Sequence, residues 1–300
     1  MTQATDMPVT AIAPWFGGKR TLAPLIVSEL GPHRAYWEPF CGSMSVLMVK
    51  PPCQHEYVND LHGELFNLAA VIQSPVLGPQ FYRALRRVWM AEDLVKAAKL
   101  ALAAGVDDPL QRAVCYFIES WIGRNGVSGT FSTNASFCIR YTSGGGSAAK
   151  RLTSAVESIP AWRRRMRNVC ISNRDAFELL EKIQDAKGTA IYCDPPYLVK
   201  GARYIHDFKP EDHERLARSL ARFHKARVLV SYYEDPRLAD LYPAGRWTKR
   251  SVAVSKAMAH QGARGANDVQ APEVLLINGP SLSTVAGGLS LFEKEGPCPK

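Results

Sequence analysis

The sequence AYWEPFCGSMSVLMV at residues 35–49 has the pattern of a strand, a tight turn and a helix. Ala35–Phe40 predicts the strand, Cys41–Ser43 the turn of small residues, and Met44–Val49 the helix. This arrangement begins the repeating unit from which parallel sheets are built. The fold class that it predicts is therefore α/β.

The same alternation continues through Glu56–Gln73 and returns between Val169 and Ile277. The segment between these stretches is different. Gly78–Gly123 is almost wholly helical in pattern, Asn125–Gly146 has the Gly, Ser and Thr content and alternating aromatics of a hairpin, and Arg151–Arg167 predicts a basic helix. We therefore expect a doubly wound sheet that is interrupted by a helical and hairpin insertion.

These boundaries predict a discontinuous core and one insertion. The core would comprise residues 11–73 and 168–280, with closing strands at Val252–Ser255 and Glu273–Ile277. The insertion would comprise residues 74–167, and residues 281–300 lack periodicity and predict a flexible tail.

Composition and charge narrow the class of protein. The chain has 300 residues, of which 46% are hydrophobic and 22% charged, so it can build a core and is not wholly disordered. Its net charge is +9, and residues 74–167 carry fourteen basic and six acidic side chains. This local excess indicates either a phosphate-bearing partner or solvated helix faces.

Several classes are disfavoured by the sequence. It contains no apolar run of about 18 residues, so no membrane span is expected. The amino terminus lacks the pattern of a secretory signal. The seven cysteines are odd in number and scattered, which favours reduced thiols in a cytoplasm, and we expect no metal site.

The strongest local motif is Asp194-Pro195-Pro196-Tyr197, which directly follows the predicted strand Thr189–Cys193. Two consecutive prolines fix the turn and remove two backbone donors. The turn then offers the carboxylate of Asp194, the carbonyl of Pro195 and the aromatic ring of Tyr197 together. Such a set can accept the N–H groups of an exocyclic amine and stack on its base.

Other candidates also stand where strands end or helices begin. The turn at Gly42 would let backbone N–H groups approach a ligand closely, and Asp60 is placed to bind ribose hydroxyls. Lys19, at a predicted helix start, could pair with a carboxylate. Asp175 could cap a helix with Phe177 in the core, or the two could face an adenine ring.

With these motifs in this order, the chain resembles DNA adenine-N6 methyltransferases of the Dam type from about Ala13 to Asn278. The motifs that carry the resemblance are Trp15–Lys19, Glu38–Ser43, Asn59-Asp60 and Asp194–Tyr197. Met44 stands where the family usually has a second glycine in its first motif, and residues 131–146 look more like phage or mobile-element members.

The resemblance implies a Rossmann-like sheet that binds S-adenosylmethionine and transfers its methyl group to adenine. The residues that it implies for the cofactor are Trp15, Gly18, Lys19, Phe40, Gly42, Asp60, Asp175, Phe177 and Asp194. Lys19 would pair with the cofactor's carboxylate and Asp60 with its ribose. The catalytic motif Asp194, Pro195, Pro196 and Tyr197 would hold the target base.

The implied partner is double-stranded DNA, from which the target adenine would be flipped. The insertion would read the DNA, with the candidate contacts Arg124, Asn125, Arg140, Arg163, Arg164, Arg165 and Arg167. We expect a monomer or weak dimer acting on DNA in a bacterial or phage-infected host cytoplasm.

Three alternatives stay open at this point. The substrate could be adenine in RNA, or the amino group of cytosine, although cytosine enzymes more often carry Ser where Asp194 stands. The third alternative is a DNA-binding homologue that has lost catalysis, with Met44 as the lesion.

Overall fold

The computed structural model describes residues 9–15, 17–123, 147–198, 208–252 and 272–283, and in these residues seven strands form one sheet. The strands are β1 (Ala35–Glu38), β2 (His55–Asn59), β3 (Val169–Ser172), β4 (Thr189–Cys193), β5 (Arg227–Tyr233), β6 (Thr248–Val252) and β7 (Glu273–Ile277). The helices are α1 (Ala23–Leu30), α2 (Ser45–Val49), α3 (Gly63–Gln73), α4 (Leu77–Leu85), α5 (Glu92–Ala104), α6 (Pro109–Ile122), α7 (Ala148–Met166), α8 (Ala176–Lys182), α9 (Pro210–Ala221) and α10 (Leu238–Leu241).

The strands lie in the order β3-β2-β1-β4-β5-β7-β6. The first five are parallel to one another, and β7 runs antiparallel to both of its neighbours. Every residue of β4 and β7 is buried, which explains why both strands are continuous apolar runs. Helices cover both faces of the sheet, with one buried apolar cluster on each. The predicted α/β class is therefore confirmed.

The start of helix α1 differs from the sequence prediction. The helix begins at Ala23 instead of Lys19, with Pro24 in its first turn. The edge strand β6 covers Thr248–Val252, and it pairs with β7 so that Thr248 lies opposite Ile277 and Val252 opposite Glu273. Of the predicted strand Val252–Ser255 only Val252 is described, and residues 253–255 lie outside the described residues.

The helices between α3 and β3 share their core with the sheet. Phe117 of α6 packs against Phe81 of α4 with ring centres 5.7 Å apart, and both lie in the buried cluster that also contains Tyr36 of β1. Trp121 of α6 stacks on Trp162 of α7 at 6.4 Å. Helices α4 to α7 are thus packed onto the sheet layer.

The carboxyl end of α6 lies beside the turn that follows β1. Trp121 Nε1 donates to the carbonyl of Ile12 at 3.2 Å, and the amide of Ile12 donates to the carbonyl of Ser43 at 3.1 Å. Helix α6 therefore ends at the edge of the sheet where the parallel strands have their carboxyl ends. The predicted hairpin, Asn125–Gly146, lies outside the described residues.

Glu29 of α1 fastens the last described residues to the core. Its carboxylate, completely buried, pairs with Arg227 and Arg250 and accepts hydrogen bonds from Ser281, Ser283 and the amide of Leu282. Residues 281–283 are therefore bound, although a loose tail was predicted to begin at Ser281. Residues 284–300 lie outside the described part of the chain.

Burial alone would raise the pKa of Glu29, but the bonds from Ser281, Ser283 and Leu282 and the charge of Arg250 outweigh it and lower the pKa to about 2. A carboxyl with a depressed pKa in the folded state stabilises the fold above its unfolded-state pKa. That stabilisation is lost as the pH falls through the folded-state value. For Glu29 the window runs from 4.5 down to about 2.

We expect Glu29→Gln to lower the free energy of unfolding at pH 7 by about 2–3 kcal/mol. The difference from the wild type should narrow as the pH falls below 4.5, because the wild-type carboxyl is then losing its charge as well. Urea unfolding at a series of pH values measures both effects. Glu214→Gln, at an exposed helical ion pair, is the control. A difference in the free energy of unfolding between wild type and Glu29→Gln that stays constant with pH would contradict this role of the Glu29 charge.

Candidate active site

A pocket lies where β1 and β4, neighbours in the sheet, both end. Helix α2, which follows β1, packs in one apolar cluster, and α9, which follows β4, packs in the cluster on the opposite face. The chain therefore changes direction of winding between these strands, and ligands of doubly wound sheets bind in the crevice formed there.

The pocket brings together most of the predicted site residues. All four members of the predicted catalytic motif line it, as do seven of the nine residues predicted to bind the cofactor. These lining residues are Trp15, Gly18, Lys19, Phe40, Gly42, Asp60, Asp194, Pro195, Pro196 and Tyr197. They come from four separate parts of the sequence, and the pairing of the strands brings these parts together at one edge of the sheet.

The turn after β1 is built around Gly42. Its φ of 44° lies in the left-handed region, and a Cβ at this position would come within 2.9 Å of Trp15 Nε1. Its amide donates to Asp60 Oδ2 at 2.8 Å, while the amide of His62 donates to Asp60 Oδ1 at 2.9 Å. Asp60, just after β2, therefore fixes the turn that borders the pocket. Only glycine meets both the conformational and the steric demands at residue 42.

Met44 follows in the same turn and is also left-handed, with φ 61° and ψ 28°. Among the described residues it is the only non-glycine with positive φ. Glycine, which usually stands here in the family that the chain resembles, adopts such a conformation readily. The side chain of Met44 is nevertheless buried in the core, with 1% exposure. Packing therefore holds a methionine in a backbone conformation that glycine would adopt without strain.

We expect Met44→Gly and Met44→Ala both to unfold at lower urea concentration, because loss of a buried methionine costs about 2–5 kcal/mol. The glycine variant should be the more stable of the two by about 1 kcal/mol, since glycine is not penalised at positive φ. Met48→Gly and Met48→Ala, in helix α2, are the control pair and should show the opposite order. An alanine variant at residue 44 that is more stable than the glycine variant would exclude backbone strain.

Asp194, directly after β4, accepts hydrogen bonds on both carboxylate oxygens. Ser231 Oγ donates to its Oδ1 at 2.7 Å, and Lys19 Nζ lies 2.9 Å from its Oδ2. The hydroxyl of Tyr197 is 3.0 Å from Oδ1. The carboxylate is thus held in one orientation at the wall of the pocket.

Glu273 completes a ring of side chains with Lys19, Asp194 and Tyr197. Its Oε1 lies 3.1 Å from Lys19 Nζ and accepts a hydrogen bond of 2.6 Å from the hydroxyl of Tyr197. Glu273 was not predicted as a site residue, because it is the first residue of a strand and the predicted site residues follow strands. Its strand runs antiparallel, which puts its amino end at the edge where β4 and β5 have their carboxyl ends.

Burial shifts the titration of the carboxyls at the pocket. It raises the pKa of Asp194, with a further rise from Glu273, while Lys19 and Ser231 oppose the change. Burial is also the main cause that raises the pKa of Glu38 to about 8, helped by Asp194 and opposed by a hydrogen bond from Tyr36. Burial and the two nearby carboxylates hold the pKa of Tyr197 well above its usual value. Glu38, which lines the pocket, was quoted within a motif but not selected as a site residue.

Lys19 pairs with carboxylates of the protein, as its position before a helix led us to expect. Its Nζ donates to the carbonyl of Gly17 at 2.7 Å in addition to its two carboxylate contacts. The pairing with the cofactor's carboxylate that the resemblance implies stays a prediction.

Asp175 and Phe177 do not line the pocket. Asp175 caps α8 by accepting the amide of Phe177 at 2.7 Å. The ring of Phe177 is buried against Phe208, and the guanidinium of Arg215 lies 3.9 Å from its centre. These contacts agree with the structural alternative, helix cap and core, and a contact of the two residues with an adenine ring stays a prediction.

The basic residues at the end of α7 lie at the opposite edge of the sheet. Arg163, Arg164 and Arg167 line a surface depression with Gln73 and Ser74 at the end of α3. The next strand begins at Val169, which pairs with Glu56 near the amino end of β2. A strand of this length separates the depression from the pocket by about 15 Å. Positively charged side chains at the carboxyl end of a helix interact favourably with the helix dipole. This interaction accounts for the run of arginines at the end of α7.

Arg165 has a structural partner. Its guanidinium makes a two-point ion pair with Glu56, at 2.6 and 2.7 Å, and also donates to the carbonyl of Leu47. Lys50 pairs with the same carboxylate at 2.8 Å. This buried cluster ties α7 to β2, which corrects the phosphate contact predicted for Arg165.

We expect Arg164→Ala and Arg167→Ala to leave the salt dependence of DNA binding unchanged, because both side chains lie away from the pocket edge. A lost phosphate contact would instead lower the slope of log affinity against log salt by about one. Titration of labelled duplex at several salt concentrations measures the slope. Arg218→Ala, at an exposed helical ion pair, is the control. A slope reduced by one in either variant would return these residues to the DNA contact surface.

The remaining predicted DNA contacts, Arg124, Asn125 and Arg140, lie outside the described residues. Gly123, the residue before them, ends the helix that is anchored beside the pocket through Trp121. In the described ranges, no helix is long and apolar enough to cross a membrane. The same ranges contain no group of three or more His, Cys, Asp or Glu residues arranged for a metal ion.

Residues 15–104 match the family model of D12 class N6 adenine-specific DNA methyltransferases. This stretch contains Lys19, Gly42 and Asp60 but ends before Asp194. The match confirms the resemblance predicted from the motifs and supports a methyltransferase.

Comparison with solved structures includes the crystal structure of SMU.472 complexed with SAH, at 10% sequence identity and a TM-score of 0.34. The alignment covers 86% of this chain and 52% of that one, so this chain spans about half the length of the solved structure. A comparison with curated proteins finds no match.

Proposed function

We propose that the protein transfers a methyl group from S-adenosylmethionine to the N6 amino group of adenine in double-stranded DNA. The observation that carries the proposal is the position of Asp194-Pro195-Pro196-Tyr197 in the same pocket as the Gly42 turn. A carboxylate that accepts amino hydrogens thus lies next to a turn suited to a nucleotide-like cofactor. The family match over residues 15–104 supports the same reaction.

The residues around the Gly42 turn fit the cofactor. The glycine leaves the backbone open at the pocket wall, where a Cβ would collide with Trp15. Asp60 lines the same pocket, and the amides of Gly42 and His62 hold its carboxylate in the orientation in which it would bind ribose hydroxyls. Two carboxylates, Asp60 and Asp194, line the pocket, and their charge favours a cationic ligand. When bound, S-adenosylmethionine supplies a methyl group on a positively charged sulfur.

Asp194 and Pro195 would orient the target nitrogen. Each can accept one N6 hydrogen, which directs the nitrogen lone pair at the methyl carbon. The sulfur of the bound cofactor would be the leaving group and would keep the electron pair of its bond to the methyl carbon, while the nitrogen lone pair would form the new bond. The Asp194 carboxylate would then accept one N6 proton and pass it to solvent.

We propose that the adenine reaches this pocket by flipping out of the duplex, at a cost of a few kcal/mol. Residues 74–167 would be the DNA-reading insertion of a core formed by residues 11–73 and 168–280. Helix α6 supports this assignment, because its last turn is anchored beside the pocket through Trp121. The site of action would be DNA in the cytoplasm.

The test is a labelled-methyl transfer assay on duplex DNA and on RNA, followed by nucleoside mass spectrometry. We expect N6-methyladenine from DNA with the wild type. Asp194→Ala should lose transfer by about 100-fold or more, since it removes an oriented group that acts at the reacting atom. DNA binding, measured in parallel, should largely survive.

Asp240→Ala, which removes an exposed carboxylate from α10, is the matched control and should retain full transfer. Full activity of Asp194→Ala would overturn the proposed function. Methylation of RNA alone, or of cytosine, would replace the substrate. DNA binding without any transfer would favour an inactive binding protein.

A further inference from the structure

Lys19 lies against both groups on which a flipped adenine would depend. Its Nζ is 2.9 Å from Asp194 Oδ2 and 5.1 Å from the centre of the Tyr197 ring. The lysine side chain is only 7% exposed, so solvent does not replace these contacts. An incoming amino group that takes the position now occupied by the ammonium at Asp194 Oδ2 displaces it.

Glu273 is a second carboxylate within reach of the same ammonium. Its Oε1 lies 3.1 Å from Lys19 Nζ, and its side chain is 10% exposed. A short movement is enough for the ammonium to exchange Asp194 for Glu273, because it already contacts both. Without this second carboxylate, displacement would leave a buried cation without an anionic partner, which is strongly unfavourable.

The same oxygen of Glu273 also holds Tyr197. The tyrosine hydroxyl has one proton to donate, and its distance to Glu273 Oε1 is 2.6 Å against 3.0 Å to Asp194 Oδ1. The shorter contact assigns that proton to Glu273. The hydroxyl then leaves Asp194 available as an acceptor and fixes the ring that borders the pocket.

We propose that Glu273 is a positioning residue that receives Lys19 when the Asp194 carboxylate binds the amino group of the target base. The inference rests on the proposed function and adds to it the way in which the Asp194 carboxylate is freed from Lys19 to bind the base. The ammonium and Tyr197 stay paired throughout the exchange, and Glu273 itself does not touch the reacting atoms.

Glu273→Gln tests this role, because it keeps the shape of the side chain and removes its charge. Lys19 should then remain on Asp194, and we expect kcat for methyl transfer to fall about tenfold. KM for S-adenosylmethionine should be unchanged, because the residues of the Gly42 turn are untouched. Glu234→Gln is the matched control, since it also removes a carboxylate paired with a lysine, Lys249, near the same end of the sheet.

The pH profile gives a readout that a structural role would not move. The titratable groups that interact with the charge of Asp194 are Lys19, Glu38, Tyr192, Cys193, Tyr197, Tyr232, Tyr233 and Glu273. Glu273 contributes to the raised pKa of Asp194, so its neutralisation lowers that pKa. The acid limb of kcat should therefore shift to lower pH in Glu273→Gln. Glu273→Asp keeps the charge and should retain the wild-type limb together with part of the activity.

If the wild type is active and Glu273→Gln has the same kcat and the same acid limb, the role of Glu273 is overturned while the proposed function stands. Equal losses of transfer and of thermal stability in the Gln and Asp variants, with the acid limb fixed, would also overturn it by showing a structural role. A wild type that methylates neither DNA nor RNA would overturn the proposed function and, with it, the exchange of Lys19.

Discussion

The parallel pairing of β1 with β4 is the contact on which the site depends. Ala35 lies opposite Thr189 and Trp37 opposite Ile191, so the two strands end at the same edge of the sheet. This register brings Gly42 and Asp194, which are far apart in the sequence, into one pocket. The Gly42 turn and Asp194 lie in the same pocket because the two strands are neighbours.

Much of the fold and the centre of the site could be predicted from the sequence. Apolar runs followed by polar residues identify the carboxyl ends of parallel strands, and those ends necessarily share one edge. Asp60 and Asp194 were found in this way. Glu273 was missed because its strand runs antiparallel, so the same edge receives the first residue of that strand. A search for polar residues after strands does not detect such a position.

Other placements could not be predicted from the sequence for a different physical reason. The basic end of α7 was interpreted from charge alone, which does not reveal the direction of the helix relative to the sheet. The helix points its carboxyl end away from the pocket, and Arg165 neutralises Glu56 there. Phe177 illustrates the same limit, since the sequence does not say whether an aromatic ring faces a ligand or a neighbouring ring. Here it packs against Phe208 and Arg215.

The pocket also shows how charge and backbone geometry were combined in a small space. A buried ammonium is shared by two carboxylates, while burial raises the pKa of the neighbouring Glu38 to about 8. Beside them the chain passes through two left-handed residues in close succession, Gly42 and Met44. The strain and the uneven charge are both concentrated where a ligand is proposed to bind, as is usual for functional sites.

The stacked pair Trp121–Trp162 has a consequence for protein engineering and for evolution. Trp121 bonds to Ile12 and Trp162 to Val9, so the insertion helices are fastened to the segment that leads into Trp15. Replacement of residues 74–167 alone by the corresponding segment of another protein would disrupt this packing. A successful exchange of this segment therefore requires the residues around 9–12 to be exchanged with it, although the two are separated in the sequence.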